Sequence, residues 1–436
     1  MTSPGSGGAG GPFEGRARML AGLVEAGHLS SLEQIPGLVA EHAAHAGLHD
    51  VLIYLADLQQ EVLRLVTGKG LAADDDAEPE AAELRIDGTL AGRAFQEVRV
   101  LAGPAPGSGP GPAPGPAPGP GPGPGGGGSR WWVPLLDGTE RLGVLRVGAR
   151  PGDERAQEDM RHLASITALL LASKRQNSDS YARMVRTRPM NVAAEMQWNL
   201  LPAPTFANDA VVIGAALEPA YELGGDAFDY ALAGETVHLA VFDAMGHDAS
   251  AGLTANLAVA ACRNHRRQGA DLIEVSVGIE KVLVNEFGPA NRFATAILAN
   301  LNLRTGVFTW VNRGHHPPVV IRNGRWVTTL HCQPAHPVGL DLDLPVTQCK
   351  EQLEPGDRVL IYTDGMTEAR NREGEEFGLE RFIDFIIRYN ADGLPVPETL
   401  RRLVRSILKY HDGMLQDDAT VLLVEWRGGS QDRLHV

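Results

Sequence analysis

The stretch "RVLIYTDGMTEARN", Arg358 to Asn371, decides how the chain is read. It begins as an apolar, β-branched run, stops at Asp364-Gly365, and places Glu368 three residues past the glycine. Taken alone, a strand ending in Asp-Gly is a turn, because glycine supplies the positive backbone dihedral that a tight turn demands. Asp364 has counterparts, however. "YELGGDAFDY" places Asp226 and Asp229 after a Gly-Gly pair, "LAVFDAMGHDAS" ends a strand at Asp243, and "QDDATVLLVE" starts one after Asp417 and Asp418. Carboxylates at strand ends that converge on one edge of a sandwich repel and raise one another's pKa. A divalent cation relieves that cost, and oxygen donors without cysteine or clustered histidine favour hard ions such as Mg²⁺ or Mn²⁺.

Working outward, the sequence from about Ala210 alternates short strands ("AVVIGAAL", "TVHLAVFDA", "FATAILANLNL", "GVFTWVNRG", "PPVVIRNG", "WVTTLH", "RVLIYTD", "ATVLLVEW") with helices over Ser250–Gln268, Ala270–Phe287, Leu379–Tyr389 and Pro397–Tyr410. Short connections make neighbouring strands antiparallel. The pattern predicts an α+β domain over 205–428, two antiparallel sheets face to face with helices outside.

Upstream, residues 1–14 are rich in Gly, Ser and Pro and read as disordered. Residues 15–176 read as a separate α/β domain: helices, a hairpin in "DVLIYLADLQQEVLRLVTG", a second in "RWWVPLLDGTERLGVLRVGAR", and a closing helix from Asp153 to about Arg175. Its Pro/Gly insertion, 103–128, has almost nothing to bury and reads as a solvated loop. Residues 177–204 read as a linker with a helix, "MNVAAEMQWNLLP", ended by Pro202.

The net charge of −15 argues against nucleic acid or an anionic membrane as a general partner. Three cysteines, Cys262, Cys332 and Cys349, with no CxxC, suggest a reducing cytoplasm. No secretory signal is visible, and the longest apolar run, "LASITALLLAS", is too short to span a bilayer. A cytoplasmic location is expected.

The ordered set Glu222-x-Gly-Gly-Asp226, Asp243-x-x-Gly-His247, Asn312-x-Gly-His315, Tyr362-Thr-Asp-Gly-x-Thr-Glu368 and Asp417-Asp-Ala-Thr420 resembles the metal-dependent protein phosphatases of type 2C, within them the bacterial SpoIIE-like branch that controls sigma-factor partner switching. That resemblance implies a central β-sandwich between helix pairs and a centre of two Mn²⁺ or Mg²⁺ ions. By it, Asp243 bridges the ions beside the Ala244 carbonyl, Asp364 and Asp417 hold one ion, and Asp226 holds the other directly or through water. Asp243 and Asp364 are thereby the residues on which catalysis depends. The implied activity is hydrolysis of phosphoserine or phosphothreonine by activated water, on an anti-sigma-factor antagonist.

Met245 stands where eukaryotic members commonly carry histidine, and Asp248 where glycine is frequent. His247, His315 and His316 are candidates for phosphate contact, and Asp418 and Asp229 for a supporting role. The first domain resembles a GAF domain in architecture, a possible small-molecule sensor and homodimerisation module in which Trp131 and Trp132 are read as core. The helix at 193–204 resembles the one preceding the catalytic domain in the SpoIIE-like branch, with Met196, Leu200 and Leu201 as its apolar face. Any kinase partner is expected to be a separate protein. Two other readings remain at this stage: a non-catalytic metal-binding scaffold and a small-molecule phosphoesterase.

Overall fold

The computed structural model describes residues 12–68, 82–103, 129–150, 153, 155–222, 224–246, 248–391, 394–411, 415 and 417–428. Most of the 103–128 insertion, residues 1–11 and His247 lie outside the described residues. The chain divides into two compact units, Met1–Thr187 and Arg188–Val436.

In the first unit the elements run α1 (Pro12–Gly27), α2 (Ile35–Ala43), β1 (His49–Ala56), β2 (Val62–Leu65), β3 (Glu83–Arg85), α3 (Leu90–Glu97), β4 (Leu101–Ala102), β5 (Ser129–Asp137), β6 (Glu140–Ala149), α4 (Ala156–Arg175) and α5 (Asp179–Val185). The strands form one antiparallel sheet in the order β3-β2-β1-β6-β5-β4. Both faces are covered, which is why β1 and β6 read as nearly continuous apolar runs rather than alternating ones. Met19, Leu23, Ile35, Val39, Met160 and Leu163 pack on one face with Ile53, Leu55 and Leu145; Ala91, Ala94 and Phe95 of α3 pack on the other with Tyr54, Leu63 and Val144. Trp131 and Trp132 alternate between these two cores, half-buried. The expected disorder of 1–14 needs correction at its end: α1 begins at Pro12, with Glu14 in a first turn whose dipole favours an acid.

The second unit contains α6 (Val192–Leu200), β7 (Thr205–Ala207), β8 (Val211–Glu218), β9 (Asp226–Ala233), β10 (Thr236–Ala244), α7 (Ala249–Arg267), α8 (Leu272–Phe287), β11 (Ala294–Asn302), β12 (Val307–Arg313), β13 (Val319–Arg322), β14 (Trp326–Thr329), β15 (Gln348–Gln352), β16 (Arg358–Tyr362), α9 (Leu379–Ala391), α10 (Val396–Tyr410) and β17 (Ala419–Trp426). They make a five-stranded sheet, β15-β12-β11-β10-β9, and a six-stranded sheet, β14-β13-β16-β17-β8-β7. One core joins the facing sides of both sheets, through Ile213, Val241, Ile297 and Leu422, and continues to α7 and α8 through Val259 and Ile279. A second core lies between the outer face of the six-stranded sheet and α9 and α10, through Leu360, Phe382, Leu403 and Leu423. The order is helices, sheet, sheet, helices.

Residues 177–204, read as a linker with a helix, are divided between the two units at Thr187 and Arg188. Leu58 N–H donates to the Val185 carbonyl at 2.9 Å, holding the first part in the first unit, while Trp198 Nε1 donates to the Ala220 carbonyl at 2.7 Å, holding α6 in the second. The sparse cysteines are not all reduced: Cys332 and Cys349 form a disulfide across 17 residues, joining the segment after β14 to β15. Strand β15 is a polar edge strand, "QCKEQ", whose charged alternation carries no apolar signal to read.

Candidate metal centre

The end of β10 and the start of β9 are paired so that Asp243 faces Asp226 across the sheet. A residue at 225 with a Cβ would meet the Ala244 carbonyl at 2.2 Å, so only glycine lets the chain entering β9 lie against the end of β10. The other sheet supplies the remaining acids. Asp364 follows β16 in a short 3-10 turn, and Asp417 and Asp418 precede β17, which pairs with β16. Here the close approach is at Gly365, where a Cβ would stand 1.9 Å from the Asp418 carbonyl.

Hydrogen bonds stitch the two sheet ends together. The Thr363 hydroxyl donates to Asp226 Oδ2 at 2.6 Å and accepts from Thr420 N–H at 2.8 Å. Asp418 Oδ2 accepts from Gly224 N–H at 2.9 Å, and Asp418 N–H donates to Asp417 Oδ1 at 2.9 Å. Asp418 therefore shapes the loop that delivers Asp226. Gln197 of α6, fully buried, donates from Nε2 to the carbonyls of Gly224 at 3.0 Å and Asp226 at 2.8 Å.

The acids feel one another strongly. Burial, then the charges of Asp243 and Asp418, hold the Asp226 carboxyl well above its ordinary range. Burial pushes Asp243 up to about 7, with Asp364, Asp417 and Asp418 adding to it. Asp418 rises to about 6 for the same first reason, against its bonds to backbone N–H groups. Exposure grades from buried Asp226 to half-buried Asp243 and Asp364 to exposed Asp417, so the cluster opens outward. A cleft of about 570 Å³ lies beside Asp417 and Asp418, walled by Pro189 to Asn191, Pro219 and Glu222.

Among the described residues, no three of Asp226, Asp243, Asp364 and Asp417 bring ligand oxygens mutually within 4.8 Å. The donor set, all oxygen and electrostatically crowded, fits hard divalent cations. Raised pKa values carry a consequence for stability. Asp243 and Asp418 keep their protons in the folded, ion-free protein where the unfolded chain has lost them, so this contribution is present at low pH and disappears as pH rises through about 6 to 7. In chelator, the melting temperature should fall from about pH 5 to about pH 8, and added Mg²⁺ should raise it more at the higher pH. A chelated melting temperature that climbs over that interval would contradict this electrostatic picture.

Other sequence candidates resolve differently. The Ala244 N–H donates to the Gly225 carbonyl at 2.9 Å, and Ala244 is buried beside Asp243. Asp248 caps α7, accepting from Ala251 N–H at 2.8 Å. Asp229 lies three residues past Asp226 and pairs with Arg263 at 2.7 Å and Arg266 at 2.8 Å, tying β9 to α7 rather than supporting the acidic cluster. His315 is buried between the Thr295 hydroxyl at 2.7 Å and the Tyr362 carbonyl at 3.0 Å. Burial pushes it down to about 3, so it is a neutral spacer that donates from Nε2 and accepts at Nδ1. His316 is exposed.

The face that α6 buries is Ala193, Ala194 and Gln197, while Met196 is 43% exposed. Gln197 and Thr363 were missed because both are ordinary polar residues beside louder motifs. Gln197→Leu leaves two buried carbonyls without their donor. It should raise the Mn²⁺ concentration for half-maximal activity by about tenfold or more, as loss of ligand support does at metal sites; an unchanged Mn²⁺ titration of hydrolysis would show that α6 does not support the site.

Fold and site thus define a class, a helix-flanked double-sheet sandwich whose paired strand ends present carboxylates suited to hard divalent ions. Residues 233–427 match the family model described as Stage II sporulation protein E (SpoIIE). The phosphoserine phosphatase RsbU of Bacillus subtilis is 26% identical over 239 residues, covering 54% of this chain and 69% of that protein. RsbP of the same organism, also named a phosphoserine phosphatase, is 26% identical over 183 residues, covering 41% of this chain and 45% of the relative. Among solved structures, the RsbU and RsbW domains of a Mycobacterium tuberculosis protein align with a TM-score of 0.46 at 23% identity, over 53% of this chain and 64% of that one. The match to that family model lies within the C-terminal unit.

Proposed function

We propose that the chain is a Mn²⁺- or Mg²⁺-dependent protein phosphatase acting on phosphoserine or phosphothreonine, with an anti-sigma-factor antagonist as its substrate class. One observation carries the reading: acids 191 positions apart in sequence, from Asp226 to Asp417, belong to one electrostatic cluster at the paired ends of two sheets. The curated relatives RsbU and RsbP, named phosphoserine phosphatases, support the reaction class.

A bound pair of hard cations would supply acidified water and neutralise charge on the phosphoryl oxygens. Asp243, Asp226, Asp364 and Asp417 would hold that pair, with the Ala244 carbonyl beside Asp243. Thr363 fixes the rotamer of Asp226, Asp418 and Gln197 fix the backbone that carries it, and neutral His315 fixes the end of β16. The cleft walled by Pro189 to Asn191 and Glu222 receives the phosphorylated segment.

The N-terminal unit, an antiparallel sheet covered on both faces by helices, is read as a GAF-like sensor that dimerises and acts on α6, whose Gln197 reaches the backbone of Asp226. The assay is hydrolysis of an aryl phosphate and of a phosphoserine protein with Mn²⁺, Mg²⁺ or chelator. Turnover of both that disappears in chelator is expected. Turnover that survives chelation would overturn the metal-dependent reading, and cleavage of the aryl phosphate and nucleotides without the phosphoprotein would overturn the protein substrate.

A further inference from the structure

Beside the aspartates lies a cluster with different donors. His316, Asp364 and Glu368 each offer one ligand atom, and the three atoms lie within 4.8 Å of one another; among the described residues no other trio does so. The placement follows from local structure. Glu368 N–H donates to the Asp364 carbonyl at 2.7 Å, one helical turn that sets the two carboxylates on the same side. His316 arrives from the other strand, after β12. Its neighbour His315 is locked in a turn, donating its N–H to Asn312 Oδ1 at 2.8 Å and accepting from Asn312 Nδ2 at 2.9 Å on its carbonyl. The His316 ring stacks on Tyr362, centroids 5.8 Å apart and 15° from parallel, which holds its plane in place.

No Lys or Arg offsets these two acids: among the described residues neither Asp364 nor Glu368 has an ion-pair partner within 4 Å. The trio is exposed at His316 and Glu368, half-buried at Asp364, and therefore open to ions from solution. Imidazole with two carboxylates is a borderline donor set, suited to Zn²⁺ over Mg²⁺, unlike the all-oxygen aspartate cluster.

The geometry points to a second cation site, for a borderline transition ion such as Zn²⁺, built from His316, Glu368 and Asp364. Three protein ligands leave positions for water or a phosphate oxygen. Asp364 is shared with the proposed catalytic centre, and this sharing is the one respect in which the site rests on that reading. Zn²⁺ held here draws on the same carboxylate, so its occupancy adjusts how firmly Asp364 serves the Mg²⁺ centre.

The test is calorimetric titration of the full chain with Zn²⁺ in excess Mg²⁺, for wild type, His316→Ala, Glu368→Gln and Asp226→Asn, with circular dichroism to verify each fold. One Zn²⁺ per chain is expected, weakened about tenfold or more by His316→Ala and by Glu368→Gln, and retained by Asp226→Asn. Wild-type affinity in His316→Ala would overturn the site. So would loss of Zn²⁺ only in Asp226→Asn, which puts the ion among the aspartates. Neither result bears on hydrolysis with Mn²⁺, whose failure would instead strike the proposed activity and leave this site standing.

Discussion

Asp243→Asn is expected to lower turnover by about a thousandfold or more, since on the proposed reading it removes a carboxylate that would hold the ions, and with it several kcal/mol of charge stabilisation. The substitution is nearly isosteric, so the fold should persist. The ion-free variant should in fact melt higher than wild type near pH 8, because the replaced group is one whose ionisation is opposed by burial and by the charges of Asp364, Asp417 and Asp418. Steady-state hydrolysis with Mn²⁺, paired with melting curves in chelator, checks both halves. Near-normal turnover would remove Asp243 from the reaction, and a lower melting temperature in chelator would make its role structural. Asp364→Asn should show the same loss of turnover.

Gly365→Ala should be the second severe change, although it removes no functional group. Its Cβ would stand 1.9 Å from the Asp418 carbonyl and 3.2 Å from the Ala419 Cα, backbone atoms that cannot rotate away. The turn bearing Asp364 and the segment bearing Asp417 and Asp418 would have to separate, at a cost of about 1–3 kcal/mol for overpacking. Loss of Mn²⁺ affinity should accompany the lower melting temperature. A variant that melts with wild type and titrates normally with Mn²⁺ would show that these two segments need not touch.

Much of the second unit was legible because its strands are apolar runs that end in Asp or Gly, and the helices over Ser250–Gln268 and Pro397–Tyr410 fall within a residue or two of α7 and α10. Strand-end acids were legible for the same reason: a charged residue that terminates an apolar run is conspicuous. What escaped the sequence was contact between distant polar residues. The bond from Thr363 to Asp226 spans 137 positions, and that from Gln197 to Asp226 spans 29; no local period encodes either. Strand β15 escaped because an edge strand facing water needs no apolar pattern, and the Cys332–Cys349 bond escaped with it, since that strand is what brings Cys349 across. Asp248 and Asp229 looked like site acids because composition alone cannot distinguish a helix cap or a salt-bridge anchor from a ligand.

The most direct measurement is anomalous diffraction from crystals of the full chain soaked in Mn²⁺. Two peaks are predicted between the β9–β10 end and the turns at Asp364 and Asp417, with Asp243 touching both. Peaks confined to other surfaces, or none at a Mn²⁺ concentration that saturates hydrolysis, would contradict the account at its centre.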